Sequence, residues 1–152
     1  MIRLLTSGVA RQTMDDFVTN LKRMHVSCVI DIRSPTQCRG AFSRKRTEAA
    51  LRDAGIDHIC APKLLWTDDR YASANQARHA NAYRRYAEQI SASTALPELQ
   101  NALGAVRSGG ACIVSKSRDP GRDLRDGLAE QLSALSGIPV AISHLCGKEL
   151  SF

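Results

Sequence analysis

The chain is poor in aromatic residues, with three Phe, three Tyr and one Trp among 152 residues. Its core must therefore be largely aliphatic. No apolar run approaches the roughly 20 residues of a membrane span, so no membrane partner is expected. The N-terminus turns polar by Thr6, too early for a secretory signal. The cysteines show no C-x-x-C spacing and no paired histidine, which argues against zinc. There is no G-x-x-x-x-G-K-[ST], no G-x-G-x-x-G and no H-E-x-x-H. Nucleotide hydrolysis by a P-loop, a standard dinucleotide site and metalloprotease chemistry therefore lack support. No repeat, low-complexity segment or second domain is visible, and no cofactor or metal is expected.

What is present is ordinary for a soluble domain: 43% hydrophobic and 24% charged residues. One domain over residues 1–146 is expected, with a polar tail over 147–152. Cys28, Cys60 and Cys112 fall in apolar, strand-like runs and read as buried free thiols of a cytoplasmic protein. The net charge of +6 suits an anionic partner, a nucleic acid or nucleotide. The oligomeric state is left open.

Apolar runs predict strands at 2–6, 27–32, 57–61, 111–114 and 140–144. Ser7 and Gly8 are expected to end the first strand in a turn. Thr13 and Ser43 are in position to cap helices that stop near His25 and Gly55. Further helices are predicted at 73–91, 96–106 and 122–136, the last turning Leu124, Leu128, Leu132 and Leu135 inward. Strands alternating with helices imply a three-layer, Rossmann-like α/β domain. Its sheet should hold about five strands, parallel or mostly parallel, with all carboxyl ends on one edge.

Three polar loops are expected on that edge, over 6–10, 33–46 and 115–122. Ligands bind there in open sheets because backbone N–H groups and helix dipoles converge. The last loop carries Lys116, Arg118, Arg122 and Arg125 with Ser115 and Ser117. Cations at a helix N-terminus are unfavourable unless an anion arrives, so a phosphate-like ligand is expected. Thr6, Ser7, Gly8, Arg33 and Ser34 complete the expected pocket. Asp31 ends a buried strand and is a candidate general base, or else the partner of Arg33 in a buried ion pair. Ser115 as a nucleophile would need a base that no motif supplies. Arg39, Arg44, Lys45 and Arg46 could meet a nucleic-acid backbone. Arg70, Arg78, Arg84 and Arg85 extend the same sign, with Trp66, Tyr71, Tyr83 and Tyr86 among them; Tyr83 and Tyr86 are more often core at that spacing. Two functions are in play: a binding module for a phosphate-bearing ligand, and an enzyme acting on a nucleotide or nucleic acid. A third reading is a non-catalytic interaction subunit.

In their order, Thr6-Ser7-Gly8, Asp31-Ile32-Arg33-Ser34, Phe42, Pro62-Lys63-Leu64, Tyr83 to Tyr86 and Arg118-Asp119-Pro120 with Arg125 resemble the domain of unknown function 488 family. The resemblance implies the fold and a pocket but no reaction. The family's C-x-E-x-D-P-x-x-C-H-R signature places its cysteines at Ser115 and Asp123, its glutamate at Ser117 and its histidine at Leu124. Only the Asp-Pro turn and Arg125 are kept, so thiol or metal chemistry on those atoms is not expected. The layout of Ile30 to Ser34 and of the strand ending at 115 also resembles rhodanese-like domains. Ser115 is no sulfur carrier, which disfavours sulfur transfer.

Overall fold

The computed structural model describes residues 1–66, 80–121 and 124–145. Strands and helices alternate: β1 Ile2–Gly8, α1 Met14–Arg23, β2 Cys28–Asp31, α2 Arg44–Asp53 and β3 Asp57–Cys60 come first. Then follow α3 Ala80–Ser91, α4 Leu96–Ser108, β4 Ala111–Ser115, α5 Arg125–Ser136 and β5 Val140–Leu145. The sheet order is β3-β2-β4-β1-β5, and every pair is parallel.

Local sequence accounts for the first two helix starts. The Thr13 side chain accepts from the Asp16 N–H at 3.1 Å, and the Ser43 side chain from Arg46 N–H at 3.3 Å. Each satisfies one of the amide groups that a helix start leaves without a partner.

Strand alternation divides the core in two. Leu5, Val29, Cys112 and Val114 face α1 and α2, meeting Phe17, Leu21 and Leu51. Leu4, Ile30, Ile32, Ala111 and Ile113 face α3, α4 and α5, meeting Tyr86, Ile90, Leu99, Val106, Leu128 and Leu132. Each such side chain contributes about 1.5–3 kcal/mol on burial, so this is the expected three-layer α/β domain. β4 lies between β2 and β1, and its connection crosses the face opposite theirs. The crevices beside β4 are therefore the switch points of the sheet.

Four expectations change. Ser7 and Gly8 continue β1 instead of turning, because they pair with Val114 and Ser115 of β4. The last helix starts at Arg125, with Leu124 before it in a left-handed conformation at φ 56°. Leu135 is 45% exposed: the buried stripe of α5 is centred on Arg125, Ala129, Leu132 and Ser136, which leaves Leu135 at its rim. Cys60 is exposed rather than buried, because it ends the edge strand β3. Arg122 and the proposed tail lie outside the described residues, as do Arg70, Tyr71 and Arg78. No helix among the described residues is long and apolar enough to cross a membrane.

Candidate functional site

At the carboxyl end of β2, Asp31 and Arg33 point to the α1–α2 face. The Arg33 guanidinium is fully buried. Its Nε donates to Asp31 Oδ1 at 2.9 Å and its Nη2 to Asp31 Oδ2 at 2.8 Å. Nη1 donates to the Phe42 carbonyl at 2.5 Å, and Nη2 also reaches the Thr47 hydroxyl at 3.3 Å. This fork is the geometry that suits a buried carboxylate. His58 Nε2, on neighbouring β3, lies 3.0 Å from Asp31 Oδ2. Burial alone would raise the Asp31 pKa, but hydrogen bonds from Arg33 and His58 and the Arg33 charge overcome it, lowering the pKa to about 2. Asp31 is thus a weak base at neutral pH; the geometry makes it the anchor of Arg33 and the orienter of His58.

Further polar groups lie beside this pair. Arg44, half-buried in the first turn of α2, directs Nη2 at the Arg33 carbonyl (3.4 Å) and at Cys38 Sγ (3.7 Å). Among the described residues no carboxylate lies within 4.0 Å of it. Cys60 Sγ stands 3.8 Å from His58 Nε2. The first turn of α2 holds Arg44, Lys45 and Arg46 and no acidic residue.

At the ends of β4, β1 and β5 the side chains point to the other face. Arg125 is also fully buried. Its Nη1 donates to Ser115 Oγ and to the Ser117 carbonyl, both at 2.6 Å, and its Nη2 to the Arg118 carbonyl at 3.4 Å. The loop after β4 comes so close to β1 that a Cβ on Gly8 would sit 1.8 Å from the Ser117 carbonyl oxygen. Only glycine fits there. The N–H groups of Val9 and Ala10 donate to the Ser115 and Lys116 carbonyls at 3.0 Å each. Those of Asp119, Gly121, Asp126 and Gly127 find Ser117 Oγ, Asp119 Oδ1, the Pro120 carbonyl and Asp126 Oδ1. The helix mouth that the sequence presented as an open anion cradle is thus largely filled by its own chain. Thr6 Oγ1 lies 2.7 Å from His144 Nδ1. Burial and the Arg125 charge lower the His144 pKa, with Asp126 and Glu130 opposing. Tyr83 donates to Asp126 Oδ2 at 2.9 Å.

The structure therefore brings the expected residues to two places rather than one. Asp31 and Arg33 gather on one face, and Thr6, Ser115, Ser117 and Arg125 on the other. Ser7 and Gly8 are buried between β1 and β4. Ser34 and Arg118 are half-buried, and Arg39, Lys45, Arg46 and Lys116 are exposed. Tyr86 is wholly buried, edge-on to Trp66 with ring centroids 5.7 Å apart. Sequence reading missed His58, Cys60, Cys38 and His144. A signal existed for the first two: positions 58 and 60 share a strand face, and the parallel register sets that face beside Asp31. The register itself is not local information.

These features define a parallel α/β domain with polar groups concentrated on its carboxyl edge, a class that hosts many functions. Within it, the chain belongs to the family described as Domain of unknown function DUF488, whose family model matches residues 13–132. That span includes Asp31, Arg33 and the signature positions from Ser115 to Arg125, but not Thr6, Gly8 or His144. No curated protein and no solved structure matches the chain.

Proposed function

We propose that the carboxyl edge binds a phosphate-bearing ligand, a nucleic acid or nucleotide, in the cytoplasm. The observation that carries this reading is the first turn of α2: three consecutive cations and no acid, with Arg44 half-buried and without a carboxylate partner among the described residues. Such a cluster repels itself and the positive end of the helix dipole, and an incoming phosphate relieves both. Exposed Arg39, Lys45, Arg46 and Lys116 would contact the backbone, with Ser34 and Arg118 at the rim. Buried Arg33 and Arg125 shape the edge from behind, and Asp31 holds Arg33 in place. Enzymatic action with Asp31 as base is the weaker reading, because its carboxyl is held at about 2.

The test is fluorescence anisotropy with single-stranded and duplex oligonucleotides, together with thermal shifts on a nucleotide panel. About four phosphate contacts predict roughly a hundredfold loss of nucleic-acid affinity over a fourfold rise in salt. Replacing Arg39, Arg44, Lys45 and Arg46 together by Gln should abolish binding while far-UV circular dichroism stays native. The proposal fails if no nucleic acid or nucleotide binds at low salt, or if the fourfold variant binds as well as the parent.

A further inference from the structure

The two edges of the sheet differ in how they resist pairing with another chain. β3 is short, Asp57–Cys60, and opens on the exposed Asp57. β5 is longer, Val140–Leu145, and holds no Lys, Arg, Asp, Glu or Pro. Its one titratable side chain, His144, has its pKa lowered from 6.5 by burial and the Arg125 charge and is neutral at pH 7. Charge, proline and shortness keep strand edges from pairing with other chains, and β5 has none of them. The phase of its ladder shows which backbone groups are open. Ile2 N–H donates to the Pro139 carbonyl at 3.2 Å, and Val9 N–H to the Ser115 carbonyl at 3.0 Å. In a parallel ladder each residue turns both backbone groups to one neighbour, and the next residue turns them to the other. Even-numbered residues of β1 therefore face β5, and Ala141, Ser143 and Leu145 face β1. Val140, Ile142 and His144 turn N–H and C=O to the open side, where no strand lies among the described residues.

We propose that β5 pairs antiparallel with β5 of a second copy of this chain, about a two-fold axis at Ile142, joining the two sheets into one. In that register Ile142 faces itself and Val140 faces the second copy's His144. Every open N–H and C=O of both strands then finds a partner. A shift of two residues either way leaves Val140 or His144 without a partner within the strand. This self-matching ladder is the first reason that the occupant is a second copy. Charge is the second. A chain of net charge +6 repels its own copy, and a two-fold contact sets like groups near like, so the contact must fall where the surface carries no charge. β5 is such a place. Arg3, the register partner of Ala141 on β1, has its Nη2 on the Met24 carbonyl at 2.9 Å. An antiparallel strand at the edge of a parallel sheet is a common arrangement. The pairing is independent of any phosphate ligand, because α2 packs beside β3 at the other end of the sheet.

The experiment is analytical ultracentrifugation of the full chain over a wide concentration range, with amide hydrogen exchange followed by NMR. A dimer is expected. The amides of Val140, Ile142 and His144 should gain protection as concentration rises, whereas those of Ala141 and Ser143 are protected throughout by β1. Two double variants test the register, because it sets residue 141 opposite residue 143 of the second copy. Ala141→Glu with Ser143→Glu, and Ala141→Lys with Ser143→Lys, each oppose like charges twice and should weaken association roughly tenfold. An equimolar mixture of the two should associate as a heterodimer, and far-UV circular dichroism should stay native in both. The proposal is overturned if the parent chain is a monomer at every concentration, or if a dimer forms while those three amides stay unprotected. It is overturned equally if folded charged variants associate as tightly as the parent, or if their mixture associates no better than either alone.

Discussion

The two ends of the carboxyl edge each bury an arginine completely, and they do so by different means. Arg33 lies in a fork with Asp31, so its burial depends on one carboxylate charge. Arg125 ties a hydroxyl and two carbonyls of the loop after β4, so its bonds set the path of the chain. The first arrangement neutralises its arginine, and beside it stand half-buried Arg44 and Cys38 and exposed Cys60. The second draws Ser115, Ser117 and Arg118 together until the loop satisfies itself. The three consecutive cations with no acidic residue in their turn, Arg44, Lys45 and Arg46, lie at α2, on the side away from the family signature.

The sharpest way to break this comparison is Asp31→Asn. The amide keeps the shape but leaves the Arg33 cation buried without its counter-charge. Removing one partner of a buried pair costs about 3–5 kcal/mol, read as a lowered urea midpoint at neutral pH. A loss below about 1 kcal/mol would mean that the Phe42 carbonyl and Thr47 hold Arg33 by themselves, and the two ends would then be alike.

Titration separates the same two ends without mutation. Asp31 has a lowered pKa, so its contribution is present above the ordinary carboxyl value of 3.8 and is lost as pH falls through about 2. That difference corresponds to about 2 kcal/mol. His144 is also lowered, from 6.5, and here the neutral form is the one the fold favours. The unfolded chain takes up the proton first, so stability falls as pH drops below 6.5. Unfolding free energy against pH should show both arms. Asp31→Asn should remove the lower arm and His144→Gln the upper; an upper arm that survives His144→Gln would assign it to another group.

How much of this was legible depended on how local the cause was. Thr13 and Ser43 declared themselves as caps because a cap needs only the next three residues. The buried strands declared themselves because a parallel strand covered on both faces is apolar throughout. Ser7 and Gly8 misled because their hydrogen bonds lie on β4, more than a hundred residues away. The charges at 33 and 125 were visible, and a buried Asp31–Arg33 pair was one of the two readings of Asp31, but the direction of the Arg125 guanidinium, which Ser115 and the loop carbonyls decide through packing, was not. The leucine spacing placed Leu124, Leu128 and Leu132 inward as expected and misled only at Leu135, because an arginine, an alanine and a serine share the buried stripe of α5.

The smallest expected effect probes the β1–β5 end. Thr6 and His144 are partners in the parallel register, and the Thr6 hydroxyl lies on His144 Nδ1. Thr6→Val keeps the volume and removes that hydrogen bond, at a cost of about 1 kcal/mol in unfolding free energy. The pH arm below 6.5 should nevertheless persist in this variant. Burial and the Arg125 charge, rather than the hydroxyl, lower the His144 pKa, and both remain when Thr6 is replaced. Loss of the arm in Thr6→Val would transfer the shift to the Thr6 hydroxyl. Arg125 would then act only through its bonds to the loop, and the two buried arginines would differ even more than their geometry shows.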